Sequence, residues 1–167
     1  AKIRLLALDV DGVLSDGRLF FAEDGQELKT FDTQDGHGIK MLQSAGIEVA
    51  IITGRTTALV QRRAANLKIK HLLQGREDKL VALKELITEL GYELEEVAYV
   101  GDDWPDLPAI LASGLGIAVA NAHSELRTRA DHVTTLTGGR GAVREVCDLL
   151  LHAQDRYSAA LAPYLAI

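Results

Sequence analysis

Two aspartates near the beginning of the chain, Asp9 and Asp11, follow the almost fully apolar residues 3–8. Such a run is typical of a strand that is buried on both faces, so the two carboxylates are expected at its carboxyl end. There Asp9 would face a bound phosphorus atom as a nucleophile, and Asp11 would reach the leaving oxygen as a general acid. An Asp-Gly turn is the alternative, but the strand directly before the pair favours a chemical role.

Groups that hold anions follow in two further segments. Residues 51–55 end a second apolar strand in Thr53, Gly54 and Arg55, whose hydroxyl, backbone and guanidinium suit a phosphate. Thr53 would otherwise cap the helix that follows. Lys79 lies at the start of a predicted helix, where the positive end of the helix dipole disfavours a lysine. A phosphate or an acidic partner would explain its place, and a solvated side chain is the alternative.

A second acidic cluster, Asp102, Asp103 and Asp106, follows another buried strand. Its carboxylates repel one another unless a cation or several N–H donors compensate, and Mg2+ would do so. Asp103 or Asp106 is expected to cap the helix whose first turn contains Pro105, but capping does not account for all three. The complete set indicates phosphoryl transfer with Mg2+ as cofactor, because that reaction depends on positioning and charge neutralisation.

The elements that must position these residues alternate along the chain. Apolar runs predict strands at residues 3–8, 48–52, 71–73, 97–100 and 115–119, and periodic patterns predict helices at 38–45, 57–67, 78–90, 106–112 and 142–160. Alternation predicts an α/β fold, a Rossmann-like parallel sheet with helices on both faces and ligands at the carboxyl ends of its strands. We expect one domain over residues 1–167.

One segment departs from this alternation. Residues 18–22 and 26–31 flank Glu23-Asp24-Gly25, which is a hairpin signal. The predicted β-hairpin flap, about residues 18–31, carries more apolar surface than a free two-stranded ribbon should show to water. We therefore expect the flap to pack against another subunit.

Composition excludes several classes of protein. The net charge of −6 argues against a nucleic-acid partner, which would need a basic face. No apolar stretch approaches the roughly 20 residues that cross a bilayer, and no signal-peptide pattern is visible, so we expect a cytoplasmic protein without a membrane partner. Ala1 leaves open whether the start is processed or trimmed. Cys147 fits the apolar face of a helix and is expected to be a buried structural thiol.

The four segments resemble the motifs of the haloacid-dehalogenase-like phosphatases, and the resemblance covers most of the chain. It implies that Asp9 forms an aspartyl phosphate. Asp11 would protonate the leaving alcohol and then take a proton from the attacking water. Thr53 and Lys79 would neutralise the transferring phosphoryl group.

The same resemblance implies a ligand set for magnesium. Asp9, the backbone carbonyl of Asp11 and Asp102 would hold the ion. Asp103 and Asp106 would support these groups without binding the metal. Asp106 is also a candidate partner for Lys79.

Within this family, the chain is too short for a large cap domain between the first two motifs, so only the hairpin can cover the site. Residues 31–39, 74–79 and 138–146 resemble the capless phosphatases that hydrolyse 3-deoxy-D-manno-octulosonate 8-phosphate in bacterial lipopolysaccharide synthesis. The resemblance implies a homotetramer assembled through the hairpins, in which a neighbouring subunit helps to close each active site. Related capless enzymes act on other acid-sugar phosphates, nine-carbon ones included, so the substrate stays open within that class.

Position within this group implies further contacts to the sugar. Besides Asp11 and Lys79, the implied substrate contacts are Asp32, Thr33, Gln34, Asp35, Gly36, Arg55 and Arg63. An arginine suits the sugar carboxylate through bidentate hydrogen bonds, whereas a solvated place on a helix is the alternative for Arg63. Arg140 would either bind an anion across a subunit boundary or cap its own domain. The apolar tail, residues 162–167, is expected to dock on a neighbour.

Other functions fit the sequence less well. A receiver domain, a signalling module, would need a lone aspartate after a central strand, but the run at 48–52 leads into Thr53. A catalytically silent assembly module of the same fold would not need the complete acidic set. A dehalogenase would carry something other than an acid at position 11, and dinucleotide binding would need a Gly-x-Gly-x-x-Gly after the first strand.

Overall fold

Eight strands and seven helices make up the part of the chain that the structure, a computed structural model, describes, which is residues 2–166. The strands are β1 (Leu5–Leu8), β2 (Phe20–Phe21), β3 (Glu27–Leu28), β4 (Glu48–Ile52), β5 (His71–Leu73), β6 (Val97–Gly101), β7 (Leu115–Ala118) and β8 (His132–Val133). The helices are α1 (Thr33–Ser44), α2 (Ala58–Asn66), α3 (Lys79–Leu90), α4 (Leu107–Ala112), α5 (Ser124–Arg129), α6 (Ala142–Ala153) and α7 (Tyr157–Leu165). Short 3-10 turns at Leu94–Glu96 and Trp104–Asp106 flank β6. The two ends, Ala1 and Ile167, lie outside the described residues, and with them the expectation about the chain start.

Six of the strands form one parallel sheet in the order β5-β4-β1-β6-β7-β8. In β1, Leu8 pairs with Ile51 of β4 on one side and with Val100 of β6 on the other. The residues that follow these three strands therefore meet at one edge of the sheet. The order reverses direction beside β1, which is where open α/β sheets bind ligands. The predicted α/β fold with a parallel sheet is confirmed.

Helices cover the sheet, so every residue of β1 and β6 is buried. Helix α1 packs against α6, and α3 packs against α4. The buried thiol of Cys147 belongs to the apolar side of α6, as the sequence predicts. Among residues 2–166, no helix combines the length and apolar character that spanning a membrane requires.

Helix α1 begins five residues before its predicted start at Gly38. Asp32 caps it, because its carboxylate accepts hydrogen bonds from the N–H groups of Gln34 and Asp35 at 2.8 and 3.1 Å. Glycine inside a helix weakens the sequence signal. Here Gly36 and Gly38 allow close packing, because a Cβ would come within 2.5 Å of the Arg63 side chain and 2.9 Å of the Arg144 side chain.

The predicted helix over residues 142–160 is wrong as a single element. Helix α6 ends at Ala153, and α7 begins at Tyr157. Asp155 between them has a left-handed φ of 57°, which interrupts the helix. In the tail, the ring of Tyr164 contacts His37 of the same chain at 5.5 Å, and docking of the tail on a neighbour stays a prediction. The sequence also gave no sign of α5 and β8, which are short and partly polar.

The hairpin is present but has shorter strands than predicted. Phe20 of β2 pairs with Leu28 of β3, and Gly25 closes the turn with a φ of 85°. Its apolar side chains are exposed in the single chain, with Phe21 at 64% and Leu28 at 52%. This exposure is the apolar surface that the sequence anticipates.

Candidate active site

Asp9 is the first residue beyond β1, and contacts on several sides fix it. Its N–H donates to the carbonyl of Val100 at 3.1 Å, which continues the ladder to β6 by one residue. Its Oδ1 accepts a hydrogen bond from the N–H of Val10 at 2.7 Å and lies 2.8 Å from Nζ of Lys79. Only 6% of the residue is exposed. Asp9 is therefore buried and held in one orientation.

Lys79 joins two carboxylates at the start of α3. Its Nζ lies 2.8 Å from Oδ1 of Asp9 and 2.8 Å from Oδ1 of Asp106, and its side chain is 5% exposed. These partners explain why a lysine occupies a helix start. Burial lowers the pKa of Lys79, but the two carboxylates outweigh burial and raise the pKa above its usual value. The ammonium group therefore stays charged.

Asp106 supports the site from behind. Its Oδ1 accepts from Lys79 and from the hydroxyl of Tyr99, both at 2.8 Å. Its Oδ2 accepts from the N–H groups of Asp102 and Asp103 at 3.0 and 3.3 Å. Asp103 is exposed and caps the 3-10 turn by accepting from Trp104 at 2.8 Å. Asp106 already accepts four hydrogen bonds, as expected of a group that orients its neighbours; that it does not bind the metal itself stays a prediction.

Asp102 completes an acidic cluster with Asp9 and Asp106, whose carboxylate oxygens lie within 4.8 Å of one another. Gly12 makes room for it, because a Cβ there would lie 1.9 Å from Oδ2 of Asp102. Gly12 also has a φ of 86°, which glycine adopts without strain. The loop after β1 can therefore close directly against the carboxylate.

The raised pKa values of Asp9 and Asp102 indicate that the cluster needs a cation. Burial, together with the neighbouring carboxylates, raises the pKa of Asp9 to about 7 and that of Asp102 to about 9. Carboxylates this close cannot all ionise unless a cation compensates them. Buried carboxylate oxygens are hard donors of the kind that Mg2+ prefers, so the residues present fit this ion. Asp9 and Asp102 are the two predicted ligands that the structure brings together; the carbonyl of Asp11 stays a prediction.

Thr53 lies just beyond β4, beside the strand that ends at Asp9. Its N–H donates to the carbonyl of Leu73 at 2.9 Å, and the residue is 2% exposed. Thr57, not Thr53, caps α2, because the hydroxyl of Thr57 accepts from Val60 at 3.3 Å. The capping alternative for Thr53 is therefore wrong. Its hydroxyl oxygen accepts a long hydrogen bond from the N–H of Arg55 at 3.4 Å, which leaves the hydroxyl hydrogen for a ligand at the carboxyl end of the sheet.

Comparisons with known proteins bear on this arrangement. A family of haloacid dehalogenase-like hydrolases matches residues 71–145. The chain is 55% identical over 159 residues to 3-deoxy-D-manno-octulosonate 8-phosphate phosphatase KdsC of Escherichia coli, covering 95% of this chain and 85% of that protein. The chain belongs to this phosphatase family. The haloacid-dehalogenase-like resemblance that the sequence indicates is thereby confirmed.

Solved structures agree with the family. The crystal structure of the phosphatase from Moraxella catarrhalis, in complex with a magnesium ion, a phosphate ion and a KDO molecule, superposes with a TM-score of 0.96 at 50% identity, covering 98% of this chain and 94% of that one. A probable YrbI family phosphatase from Pseudomonas syringae superposes with a TM-score of 0.98 at 57% identity, covering 99% and 94% of the two chains.

A series of ion pairs connects Asp11 with the hairpin and with Arg55, and the sequence predicts only part of it. Lys29 Nζ lies 2.8 Å from Oδ1 of Asp11 and 3.6 Å from Oε1 of Glu27. Glu27 Oε2 in turn lies 2.6 Å from the guanidinium of Arg55. Asp11 and Arg55 were predicted site residues. Lys29 and Glu27 were not, because only the hairpin register brings them here.

The predicted sugar contacts at residues 32–36 divide into exposed and buried positions. Thr33 and Gln34 are exposed, and Asp32 is partly exposed. Asp35 is 1% exposed, and its Oδ1 accepts from the N–H of Arg144 at 2.9 Å in the first turn of α6. Its Oδ2 is buried without a hydrogen-bond partner among the described residues. Burial of this carboxylate between two helices argues against the predicted sugar contact, which stays a prediction.

Gly36 and the side chain of Arg63 lie next to each other at the start of α1. Arg63 donates to the backbone carbonyl of Asp32 at 3.2 Å, and its guanidinium lies 5.5 Å from the ring centre of Phe31. Gly36 is buried, with no space for a Cβ beside this guanidinium. The solvated alternative for Arg63 is wrong, and both residues shape the start of α1. Any contact that they make with a substrate stays a prediction.

Asn121 is a further residue that the sequence did not reveal. Its Oδ1 accepts from the N–H of Gly138 at 2.7 Å, and its Nδ2 donates to the carbonyl of Gly12 at 3.4 Å. A Cβ on Gly138 would lie 1.7 Å from that carbonyl. The glycine-rich turn before α6 therefore braces the loop after β1. Arg140 in this turn is 69% exposed and lies 3.9 Å from Asp16.

Proposed function

We propose that the chain hydrolyses 3-deoxy-D-manno-octulosonate 8-phosphate to 3-deoxy-D-manno-octulosonate and phosphate, with Mg2+ as cofactor, in lipopolysaccharide synthesis. One observation carries the proposal: Lys79 bridges Asp9 and Asp106 while Asp102 lies beside Asp9. This arrangement supplies a buried nucleophile and the positive charge that a phosphate dianion requires. Relatives that are named as phosphatases of this substrate match nearly the whole chain, which supports the choice of substrate.

Asp9 attacks the phosphorus atom, and the bond to the sugar oxygen breaks as an aspartyl phosphate forms. Lys79 lowers the repulsion between this carboxylate and the phosphoryl oxygens, and the hydroxyl of Thr53 donates to one of them. A magnesium ion held by Asp9, Asp102 and the carbonyl of Asp11 would supply further charge neutralisation. The closeness of all these groups at one sheet edge keeps them aligned for transfer.

Asp11 gives a proton to the departing sugar oxygen. The same carboxylate then takes a proton from the water that hydrolyses the aspartyl phosphate. Its side chain is 26% exposed, so it can reach both the sugar oxygen and an entering water. Asp9 by contrast is nearly closed off, which suits the residue that carries the phosphoryl group.

The sugar is proposed to lie between the hairpin and the start of α1. Arg55, whose side chain is 40% exposed, would bind the sugar carboxylate in a bidentate manner. Asp32, Thr33 and Gln34 offer hydrogen-bonding groups to the sugar hydroxyls. Gly36 and Arg63 would act by keeping this segment in place.

We propose a homotetramer of single-domain chains joined through the hairpins. The exposed apolar face of the hairpin, with Phe21 at 64% and Leu28 at 52%, supports an interface there. A neighbouring subunit would then limit access to each site. A phosphorylated sugar acid does not cross a bilayer unaided, so we propose that the enzyme works in the cytoplasm, where such substrates are made.

A hydrolysis panel tests the substrate. The purified protein is assayed with the eight-carbon acid-sugar phosphate, a nine-carbon acid-sugar phosphate and glucose 6-phosphate, each with Mg2+ and with EDTA. We expect the highest kcat/KM for the eight-carbon substrate and no turnover in EDTA. Preference for the nine-carbon substrate would reassign the substrate within the class, and preference for the neutral sugar phosphate would reject the acid-sugar assignment.

A further inference from the structure

Lys29 belongs to the hairpin, and its buried side chain lies beside two carboxylates. None of its side chain is exposed, and its Nζ lies 2.8 Å from Oδ1 of Asp11 and 3.6 Å from Oε1 of Glu27. A charged ammonium group is rarely buried unless it is paired. The ammonium group of Lys29 is therefore paired with Asp11, the residue that acts as acid and base in the proposed reaction.

Asp11 needs such a partner because it lies on a loop and not on a strand or helix. Among residues 2–166, the hydrogen bonds to the Asp11 carboxylate come from Lys29 alone. One carboxylate oxygen is thus fixed by the ammonium group, which leaves the other to face a leaving group. The side chain keeps 26% of its surface exposed, so the contact orients Asp11 without covering it.

The alternation of side chains along β3 and the next residue, Lys29, explains how one short segment contacts Asp11 on one face and forms the outside of the hairpin on the other. Residues two apart on a strand share a face. Glu27 and Lys29 therefore face the site, while Leu28 between them is 52% exposed on the apolar face. Glu27 continues the series of ion pairs to Arg55 at 2.6 Å. Its Oε1 is buried without a hydrogen-bond partner among the described residues and lies 3.6 Å from Nζ of Lys29, so Lys29 and Arg55 share the compensation of its charge.

We propose that Lys29 is a positioning residue for Asp11: its ammonium group holds the carboxylate in the orientation from which it protonates the leaving sugar oxygen. Through Glu27, the same group connects this orientation to Arg55, the residue proposed to bind the sugar carboxylate. The inference rests on the proposed function for the role of Asp11. It adds a residue that acts through Asp11 and does not itself touch the reacting atoms.

Leaving-group dependence tests this role. A sugar alcohol needs a proton as it leaves, whereas 4-nitrophenolate leaves readily without one. The value of kcat/KM includes substrate binding and phosphoryl transfer but not the later hydrolysis of the aspartyl phosphate, so it contains the step in which the leaving group is protonated. For Lys29→Met we expect kcat/KM for the sugar phosphate to fall about 100-fold, the size of a general-acid contribution. The value for 4-nitrophenyl phosphate should fall less than about 3-fold.

Three further variants make the comparison sharp. Asp11→Asn should show the same leaving-group pattern in kcat/KM. Lys29→Arg, which keeps the charge, should recover most of the loss on the sugar phosphate. Lys84→Met is the matched control on an exposed position of α3 and should leave both substrates unaffected. If Lys29→Met does not fold, as judged by its unfolding transition and its mass in light scattering, Lys29→Gln takes its place.

The outcomes separate this inference from the proposed function. An equal loss of kcat/KM with both substrates, or no loss with either, would overturn the positioning role of Lys29. The comparison uses whichever alkyl phosphate the wild-type protein hydrolyses best. Wild-type rejection of the eight-carbon acid-sugar phosphate would therefore overturn the substrate assignment while the leaving-group pattern still decides the role of Lys29.

Discussion

Nζ of Lys79 lies 2.8 Å from Oδ1 of Asp9, although the two residues belong to different elements, the start of α3 and the end of β1. The parallel sheet helps to bring them together, because β5, which precedes α3, lies in the same sheet as β1 with only β4 between them, and the carboxyl ends of these strands form one edge. A lysine that is unfavourable at a helix start is thereby placed where an incoming phosphate meets a carboxylate. This contact connects the fold with the proposed chemistry.

Removing the charge of Lys79 should affect both activity and stability. Lys79→Met leaves Asp9 and Asp106 buried without their common cation. We expect kcat to fall by roughly 100-fold to 1,000-fold, as when one transition-state donor is lost. Breaking such a buried pair also costs about 3–5 kcal/mol. Steady-state kinetics and urea unfolding measure the two effects, with Lys84→Met on the exposed side of α3 as the control. Normal turnover in the Lys79→Met protein would contradict the role given to Lys79.

Replacing Gly12 by alanine should weaken Mg2+ binding by more than backbone strain alone would. In Gly12→Ala the new Cβ would lie 1.9 Å from Oδ2 of Asp102, so the carboxylate must move. We expect the Mg2+ affinity, measured by titration calorimetry, to fall at least about 10-fold, in the range of losses from disturbed metal sites. Gly25→Ala is a matched control, because Gly25 has a φ of 85° and no atom within 4 Å of the Cβ position. Both variants carry the strain of a left-handed residue, about 1 kcal/mol. Equal Mg2+ affinities in the two variants would argue against Asp102 as a ligand.

Stability of the metal-free protein should depend on pH. The pKa values of Asp9 and Asp102 are raised to about 7 and about 9, whereas an unfolded aspartate titrates near 3.9. Above roughly pH 4, and up to these values, the folded protein binds more protons than the unfolded chain, so its stability falls as the pH rises. We expect the thermal unfolding midpoint in EDTA to decrease from about pH 5 to about pH 9.

Added Mg2+ should flatten this dependence, because a bound cation favours the ionised carboxylates. Asp102→Asn should flatten it in EDTA as well, since it removes the group with the higher pKa. Unfolding midpoints that decrease equally in EDTA for the wild-type and Asp102→Asn proteins would show that other groups cause the dependence.

Asp35 and Asp32 separate a structural role from a substrate contact. Asp32 is the N-cap of α1, and Asp35 accepts a hydrogen bond from the first turn of α6. Each substitution by alanine should therefore cost about 1–2 kcal/mol of stability. Only Asp32 is partly exposed beside the proposed sugar site. We therefore expect Asp32→Ala to raise KM and Asp35→Ala to leave KM within about 2-fold. A raised KM for Asp35→Ala with normal stability would restore the predicted contact that its burial argues against.

Much of this arrangement is visible in the sequence, because buried parallel strands have continuous apolar runs. Leu5–Leu8 is such a run, and it locates Asp9 without any tertiary information. Thr53 and Asp102 follow by the same reasoning, since parallel strands end at a common edge. The local pattern alone therefore predicts five of the six strands of the sheet and the acidic residues at their carboxyl ends.

The remaining features depend on contacts between distant segments. The carboxylate of Asp35 is a group that suits a sugar contact, but tertiary packing directs it to the first turn of α6. Lys29 enters the site only through the pairing of Phe20 with Leu28, which a two-residue strand barely signals. Asp155 breaks the last helix through a single left-handed residue. Side-chain direction and backbone exceptions of this kind have no periodic signature.

The central claim is that Asp9 is the nucleophile, and the most direct test is the kcat of Asp9→Asn with 3-deoxy-D-manno-octulosonate 8-phosphate and Mg2+. An amide cannot form the aspartyl phosphate, so we predict a loss of at least about 1,000-fold. Asp155→Asn, an exposed aspartate at the other end of the sheet whose left-handed backbone asparagine tolerates, should keep the wild-type rate. Turnover by Asp9→Asn close to that of Asp155→Asn would contradict covalent catalysis by Asp9.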